Sequence, residues 1–259
     1  LLDWLASDFV SSGWNVKELQ KQIVMSATYR QSSKVTPELL QRDPENRLLA
    51  RGPRIRLSAE MIRDQALFAS GLLVEQVGGP SVLPYQPEGL WKDLTGTDFV
   101  PEHGASLYRR SMYTFWKRTV APPGMVMFDA PTREACTVRE TRTNTPLQAL
   151  NLMNDVTYVE TARVLAQRAW HQGGTTPVDR LTHAFQLVLS RKPHPREQEL
   201  LLRAWEYHRD RFTKDPDGAK AFAKLGETAP AGNIPLEQLA AYSVVAQILL
   251  NLDEAVTKQ

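Results

Sequence analysis

The segment Leu239–Leu250 constrains the fold more than any other, because nearly every residue in it is apolar. About twelve residues is well short of the roughly 18 that a membrane-spanning helix needs, and Ser243 and Gln247 interrupt the run. A helix that is apolar on all sides rests inside a core, enclosed by other elements. The rest of the chain must supply that enclosure. At 259 residues, 42% hydrophobic and 23% charged, it has the length and composition to do so.

Helical patterns recur toward both ends. Leu2, Leu5, Ala6 and Phe9 form a first stripe, stopped by Gly13, and Val16, Leu19, Ile23 and Ala27 form a second. Asp43-Pro44 reads as an N-cap with proline at the first helical position, opening a short helix through Leu49. Ser58 caps a stronger stripe of Ala59, Ile62, Ala66, Ala69 and Leu73, which Gly78-Gly79 ends. Helix resumes at Thr145-Pro146-Leu147-Gln148, which has the form of a capping box. Further starts are predicted at Asp155, Thr176-Pro177, His194-Pro195 and Pro235. Between Gly78 and about Thr143 the helical period is lost among prolines and scattered aromatics. Leu107 to Thr119 reads there as a strand or two, on the strength of Tyr113, Phe115 and Trp116. The expected fold is mainly α. Two helical blocks, residues 1–77 and 144–259, pack as one core in a single domain around an irregular insert, residues 78–143. The chain opens on Leu1 inside a helical pattern with no signal peptide before it, so a piece of a longer protein is expected.

Standard catalytic signatures are missing. No Gly-Lys-Ser/Thr phosphate loop, Gly-x-Ser-x-Gly elbow or dinucleotide fingerprint is present. The five histidines are never paired at metal-ligand spacing, so no metal site is expected, and His183 and His208 read as structural. A single cysteine, Cys136, excludes an internal disulfide framework. It lies between Arg133 and Arg139, which favour a thiolate, but no histidine is near in sequence and a buried inert thiol is expected. Formal charge is +2, from 31 basic and 29 acidic residues, too balanced to call for nucleic acid.

Chemistry-bearing residues are densest in the insert. From Phe99 to Thr145 seven Lys/Arg face four Asp/Glu, giving +3 in that segment alone. Arg109, Arg110, Trp116, Arg118, Asp129, Arg133, Glu134, Arg142 and Asn144 are the candidate ligand-binding residues. Guanidinium forks match carboxylates, phosphates and sulfates, and aromatic faces stack on sugars or cations. The alternative is an internal lattice of arginines and carboxylates that pins a loop lacking regular backbone bonds. Asn144-Thr145-Pro146 could hold an anion on free N–H groups, although the cap alone accounts for those residues.

Several segments, in order, resemble the PSD1 domain, the planctomycete-type domain of unknown function 1553. They are Ser26-Ala27-Thr28-Tyr29-Arg30-Gln31-Ser32, Asp43 to Arg51, Arg56 to Asp64, Gly78-Gly79-Pro80-Ser81-Val82, Pro84-Tyr85-Gln86-Pro87 and Tyr108-Arg109-Arg110 with Tyr113 and Trp116. The likeness is densest over Phe128-Asp129-Ala130-Pro131, Arg133-Glu134, Cys136 and Arg142 to Leu150, and Asn251-Leu252-Asp253-Glu254 looks like its closing segment. Glu140 departs from it, standing where a basic residue is expected. The resemblance implies the C-terminal part of an exported multidomain protein, periplasmic or at the cell surface. Upstream it implies a domain of unknown function 1549 and a cytochrome c module carrying haem c. This chain has no Cys-x-x-Cys-His and attaches none itself.

The family carries no established reaction, so three readings stand. One is a non-catalytic binding or scaffold module that engages an anionic polysaccharide or cell-surface polymer through the insert. Another is a structural domain docking on its own upstream half. The last is an enzyme acting on polysaccharide or in a haem-linked redox step, for which Asp129, Arg133, Glu134 and Cys136 are the motive.

Overall fold

The computed structural model describes residues 1–138 and 142–258; Arg139, Glu140, Thr141 and Gln259 lie outside the described residues. The protein is mainly α-helical. Its only strands among the described residues, Ile55–Arg56 and Thr257–Lys258, are two residues each and pair as one small sheet. No helix among the described residues is long and apolar enough to cross a membrane. The chain divides into two compact units, residues 1–55 with 257–258 and residues 56–256.

The smaller unit begins as a helical hairpin, α1 (Leu2–Ser11) and α2 (Val16–Met25). Gly13 and Trp14 both take positive φ between them, and Phe9 meets Trp14 edge-on at 5.2 Å. Asn15 caps α2 by accepting from Glu18 N, and Gln22 Nε2 donates to Asp8 Oδ2 across the hairpin. Helix α3 (Pro37–Arg42) starts at Thr36, which accepts from Leu39 N. The helix expected from Asp43 to Leu49 is absent. Asp43 instead ends α3, and its buried carboxylate accepts from Arg47 N and Leu48 N while Asn46 and Leu49 take positive φ. None of α1, α2 or α3 buries a residue.

The larger unit is built around the apolar helix. Helix α4 (Ala59–Ser70) is capped by Ser58 and stops at Gly71, whose φ of +86° serves the left-handed C-terminal position, well before Gly78. Among the described residues the insert holds only short pieces: α5 (Leu90–Thr95), α6 (Pro123–Val126), and 3-10 turns at Gly104–Tyr108 and Ser111–Tyr113. The expected strands in 107–119 do not form. That stretch makes isolated bridges, Val74 with Arg109, Val82 with Thr114 and Lys117 with Val120.

Helices α7 (Pro146–Asn154), α8 (Val156–Gln172), α9 (Pro177–Leu189), α10 (Pro195–Lys214) and α11 (Pro216–Ala223) follow, then α12 (Leu236–Leu250) and α13 (Asp253–Val256). The starts at Asp155, Thr176-Pro177 and His194-Pro195 fall where the sequence places them, each with a side-chain cap, and α10 has a full capping box of His194 and Glu197. Leu239, Ala240, Ala241, Val245, Ala246 and Leu249 of α12 are essentially inaccessible, enclosed chiefly by α8, α10 and α11. Their core extends through Phe185 and Leu181 of α9 to Ala59, Ile62, Ala66 and Ala69 of α4. Residues 59–70 thus share one core with the C-terminal helices, and the insert lies against it.

Candidate functional site

The insert has few regular backbone bonds, so side chains must satisfy its carbonyls and N–H groups. Two buried arginines do this. Arg63 on α4 donates from Nη1 to Arg109 O (3.0 Å) and Ser111 Oγ (3.1 Å), and from Nη2 to Leu107 O (2.6 Å). Its neighbour Asp64 accepts from Ser111 N at 2.7 Å. Arg109 donates to Pro80 O (3.0 Å), Gln76 O (3.2 Å) and Gly78 O, and stacks 3.9 Å over the Tyr113 ring. Tyr113 Oη in turn accepts from Gly78 N at 2.7 Å. The lattice that pins the loop therefore runs mainly from guanidinium to carbonyl; Arg109 bonds backbone oxygens, and Arg63 bonds two backbone oxygens and the Ser111 hydroxyl.

The other candidate residues divide by exposure. The Arg118 side chain is 88% exposed and approaches Glu134 at only 4.0 Å. Arg110 and Arg133 are half-exposed, with Glu75 and Glu60 at 3.9 and 3.8 Å. Exposed pairs at such distances are screened and leave the cations open to other anions. Arg133 stacks 4.3 Å over half-buried Trp116, whose indole packs on the main core. Arg142 donates to the Arg56 carbonyl, and Asn144 is exposed. Cys136 is exposed, not the buried thiol expected, in a stretch of the insert, residues 132–138, whose residues are all exposed.

Asp129 is held by its neighbours in sequence and space. Its backbone takes φ +61°, and Oδ2 accepts from Thr143 N at 2.6 Å. Thr143 Oγ1 lies 2.8 and 3.0 Å from its two carboxylate oxygens. Gln148, expected to close a capping box on Thr145, turns its amide inward instead. Its Nε2 donates to Met127 O at 3.0 Å and lies 3.4 Å from Asp129 Oδ2, and Thr145 makes no side-chain cap bond. Asp129 and Thr143 stand at one side of an open groove of about 550 Å³. Its walls are apolar: Leu90 and Leu94 of α5, Val126 and Met127 around α6, and Leu147 of α7. Among the described residues that line it, Asp129 is the one that carries a charge. Leu94 and Leu147 are about 60% exposed, and Leu150 and Met153 continue the exposed face along α7 at three-residue spacing.

The sequence reading missed a buried polar cluster on α8. Glu160 and Arg163 are both fully buried, with Glu160 Oε1 accepting from Tyr108 Oη (3.0 Å), Thr228 N (2.7 Å) and Thr228 Oγ1 (2.5 Å). Arg163 Nη2 donates to Thr228 O (2.5 Å) and lies 3.6 Å from Glu160 Oε1. Burial, then the Glu160 charge, raises the Tyr108 hydroxyl well above its usual range and pushes Tyr85 up to about 12. The signal in the sequence is two charges interleaved with the apolar stripe Val156, Val159, Ala162 and Ala166. Among the described residues no group of three or more His, Cys, Asp or Glu could hold a metal ion.

No curated protein and no solved structure matches the chain. One family model does, over residues 1–205: that of PSD1, a protein of unknown function (DUF1553), and the chain belongs to that family.

Proposed function

We propose that this chain is a non-catalytic binding and scaffold domain that docks a polypeptide surface in the groove between α5, α6 and the start of α7. The observation that carries this reading is the exposed apolar face of Leu94, Val126, Met127, Leu147, Leu150 and Met153. An uncovered cluster of that kind is typical of an interaction surface. The partner is an apolar segment bearing a lysine or arginine, which Asp129, the one charge among the described residues lining the groove, would meet. By resemblance, the segment belongs to the upstream part of an exported polypeptide, a domain of unknown function 1549 beside a haem c module.

The test is site-specific photo-crosslinking in the producing cell, with a photoreactive phenylalanine analogue at Leu147. Leu200, equally exposed but on α10, serves as the control position. Leu147 should capture a polypeptide segment that Leu200 does not. Equal capture at both positions, or none at Leu147, would sink the docking reading.

A second reading, engagement of an anionic polysaccharide, is favoured by the open charges of Arg110, Arg118 and Arg133. It predicts salt-sensitive binding to sulfated or carboxylated polymers that weakens in Arg118→Ala and Arg110→Ala. Binding that is unchanged by salt or by these substitutions would exclude it.

A further inference from the structure

The larger unit has a second open groove, of about 560 Å³, between the end of α4 and one face of α8. It shares no lining residue with the groove between α5 and α7. Val164, Gln167, Arg168 and His171 line it from α8, at the three- and four-residue spacing that puts side chains on one helical face. Across from them stand Phe68 in the last turn of α4 and, just beyond that helix, Leu73 and Glu75.

The Phe68 ring is 63% exposed, and among the described residues no aromatic or cationic group stacks on it. Gln167 Nε2 is buried with no hydrogen-bond partner in the protein, and an orphaned donor of that kind calls for a partner from outside the chain. Arg168 is anchored, donating from Nη1 to Ala69 O at 3.0 Å and from Nε to Gln172 Oε1 at 3.1 Å. The second bond occupies the Gln172 oxygen and leaves its amide nitrogen as a donor at the groove. Glu75 supplies an acceptor; its side chain is 67% exposed, and its ion pair with Arg110 is long, at 3.9 Å. Among the described lining residues the Glu75 carboxylate balances the Arg168 guanidinium, so the groove favours neither anions nor cations.

An open aromatic face thus lies beside amide donors and a carboxylate acceptor. A sugar ring matches all of these, because its C–H face packs on an aromatic ring and each hydroxyl both donates and accepts. A purely apolar ligand would leave the amide donors unmet, and an ion would meet a charge of its own sign. We propose that this groove binds an uncharged saccharide, its ring stacked on Phe68 and its hydroxyls shared among Gln167, Gln172 and Glu75. The volume is that of a small-molecule site and holds a short oligosaccharide. The site depends neither on the apolar face at α7 nor on positive charge in the insert, so it stands or falls apart from both readings above.

The test is saturation-transfer NMR on the full chain, with maltotriose, cellotriose and xylotriose as uncharged probes, at low and high salt. At least one probe should show transfer, and salt should leave it unchanged. Phe68→Ala removes the stacking platform at an exposed position, so the unfolding midpoint should hold. Gln167→Leu removes the amide and keeps a side chain of similar size. Affinity should fall roughly fivefold in each of these, the effect of one stacked ring or one hydrogen bond, while Phe68→Trp retains it. The proposal is overturned by no transfer from any probe to the parent chain, by transfer that high salt abolishes, or by an affinity that either Phe68→Ala or Gln167→Leu leaves unchanged.

Discussion

Arg109 distinguishes a loop clamp from a ligand-binding cation, and Arg109→Ala separates the two. The side chain is 4% exposed and places its donors on three carbonyls of the Gln76–Pro80 loop, with the Tyr113 ring beneath. That loop lies at the surface, so water can reach the carbonyls once the guanidinium is gone. The loss per bond is then the net value of about 1 kcal/mol, not a full desolvation penalty. With a further ~0.5–1 kcal/mol for the stacked ring, the variant should lose about 3–4 kcal/mol. Arg109→Lys keeps a charge but cannot span three acceptors in a plane, so it should recover at most about half of that. Urea denaturation measures the loss. Hydrogen exchange at Gly78 N, which donates to Tyr113 Oη, reports whether the loop itself loosens. A loss under about 1 kcal/mol with unchanged exchange at Gly78 would refute the clamp and return Arg109 to the ligand-binding candidates.

Other expectations follow from single contacts. Gly226 has φ +86°, and a Cβ there would meet Glu160 Cδ at 2.3 Å, so Gly226→Ala should cost about 3 kcal/mol in denaturant titration. The hydrogen bonds and charge of Arg191 hold the Glu197 carboxyl at about 2, below its ordinary 4.5. A depressed carboxyl contributes stability above its unfolded value and loses it as pH falls toward 2, so the parent chain should lose more stability than Glu197→Gln between about pH 5 and pH 2.5. Equal acid sensitivity in the two would count against that pair. Cys136 is exposed and should react fully with a thiol reagent in the native state, with no change in the unfolding midpoint.

How far the fold is legible in the sequence depends on how local its causes are. Thr176-Pro177 and His194-Pro195 place helix starts correctly because cap and proline act within one turn. Asp43-Pro44 carries the same local signal, but there the carboxylate is drawn to Arg47 N and Leu48 N of a turn that Asn46 closes in the left-handed region. Gly71, not Gly78, ends α4, since the earlier glycine already meets the left-handed requirement. The insert is harder to read. Its order comes from Arg63, 44 to 48 residues away in sequence from the groups it binds, and no periodicity reports such a contact. The same holds for Gln148, whose position spells a cap and whose amide serves Met127 and Asp129. Composition alone points to the arginines of the insert. Only the packing separates Arg109, occupied inside, from Arg118, open outside.

The docking reading is tested most directly by methionine oxidation footprinting of the protein as isolated intact from its source, compared with this chain alone. Met127 and Met153 lie on the apolar face beside the groove, and Met112, more exposed than either, lies outside it and reports reagent access. Docking predicts that Met127 and Met153 are oxidised several-fold more slowly in the intact protein while Met112 is unchanged. Equal oxidation of all three in both samples would contradict it.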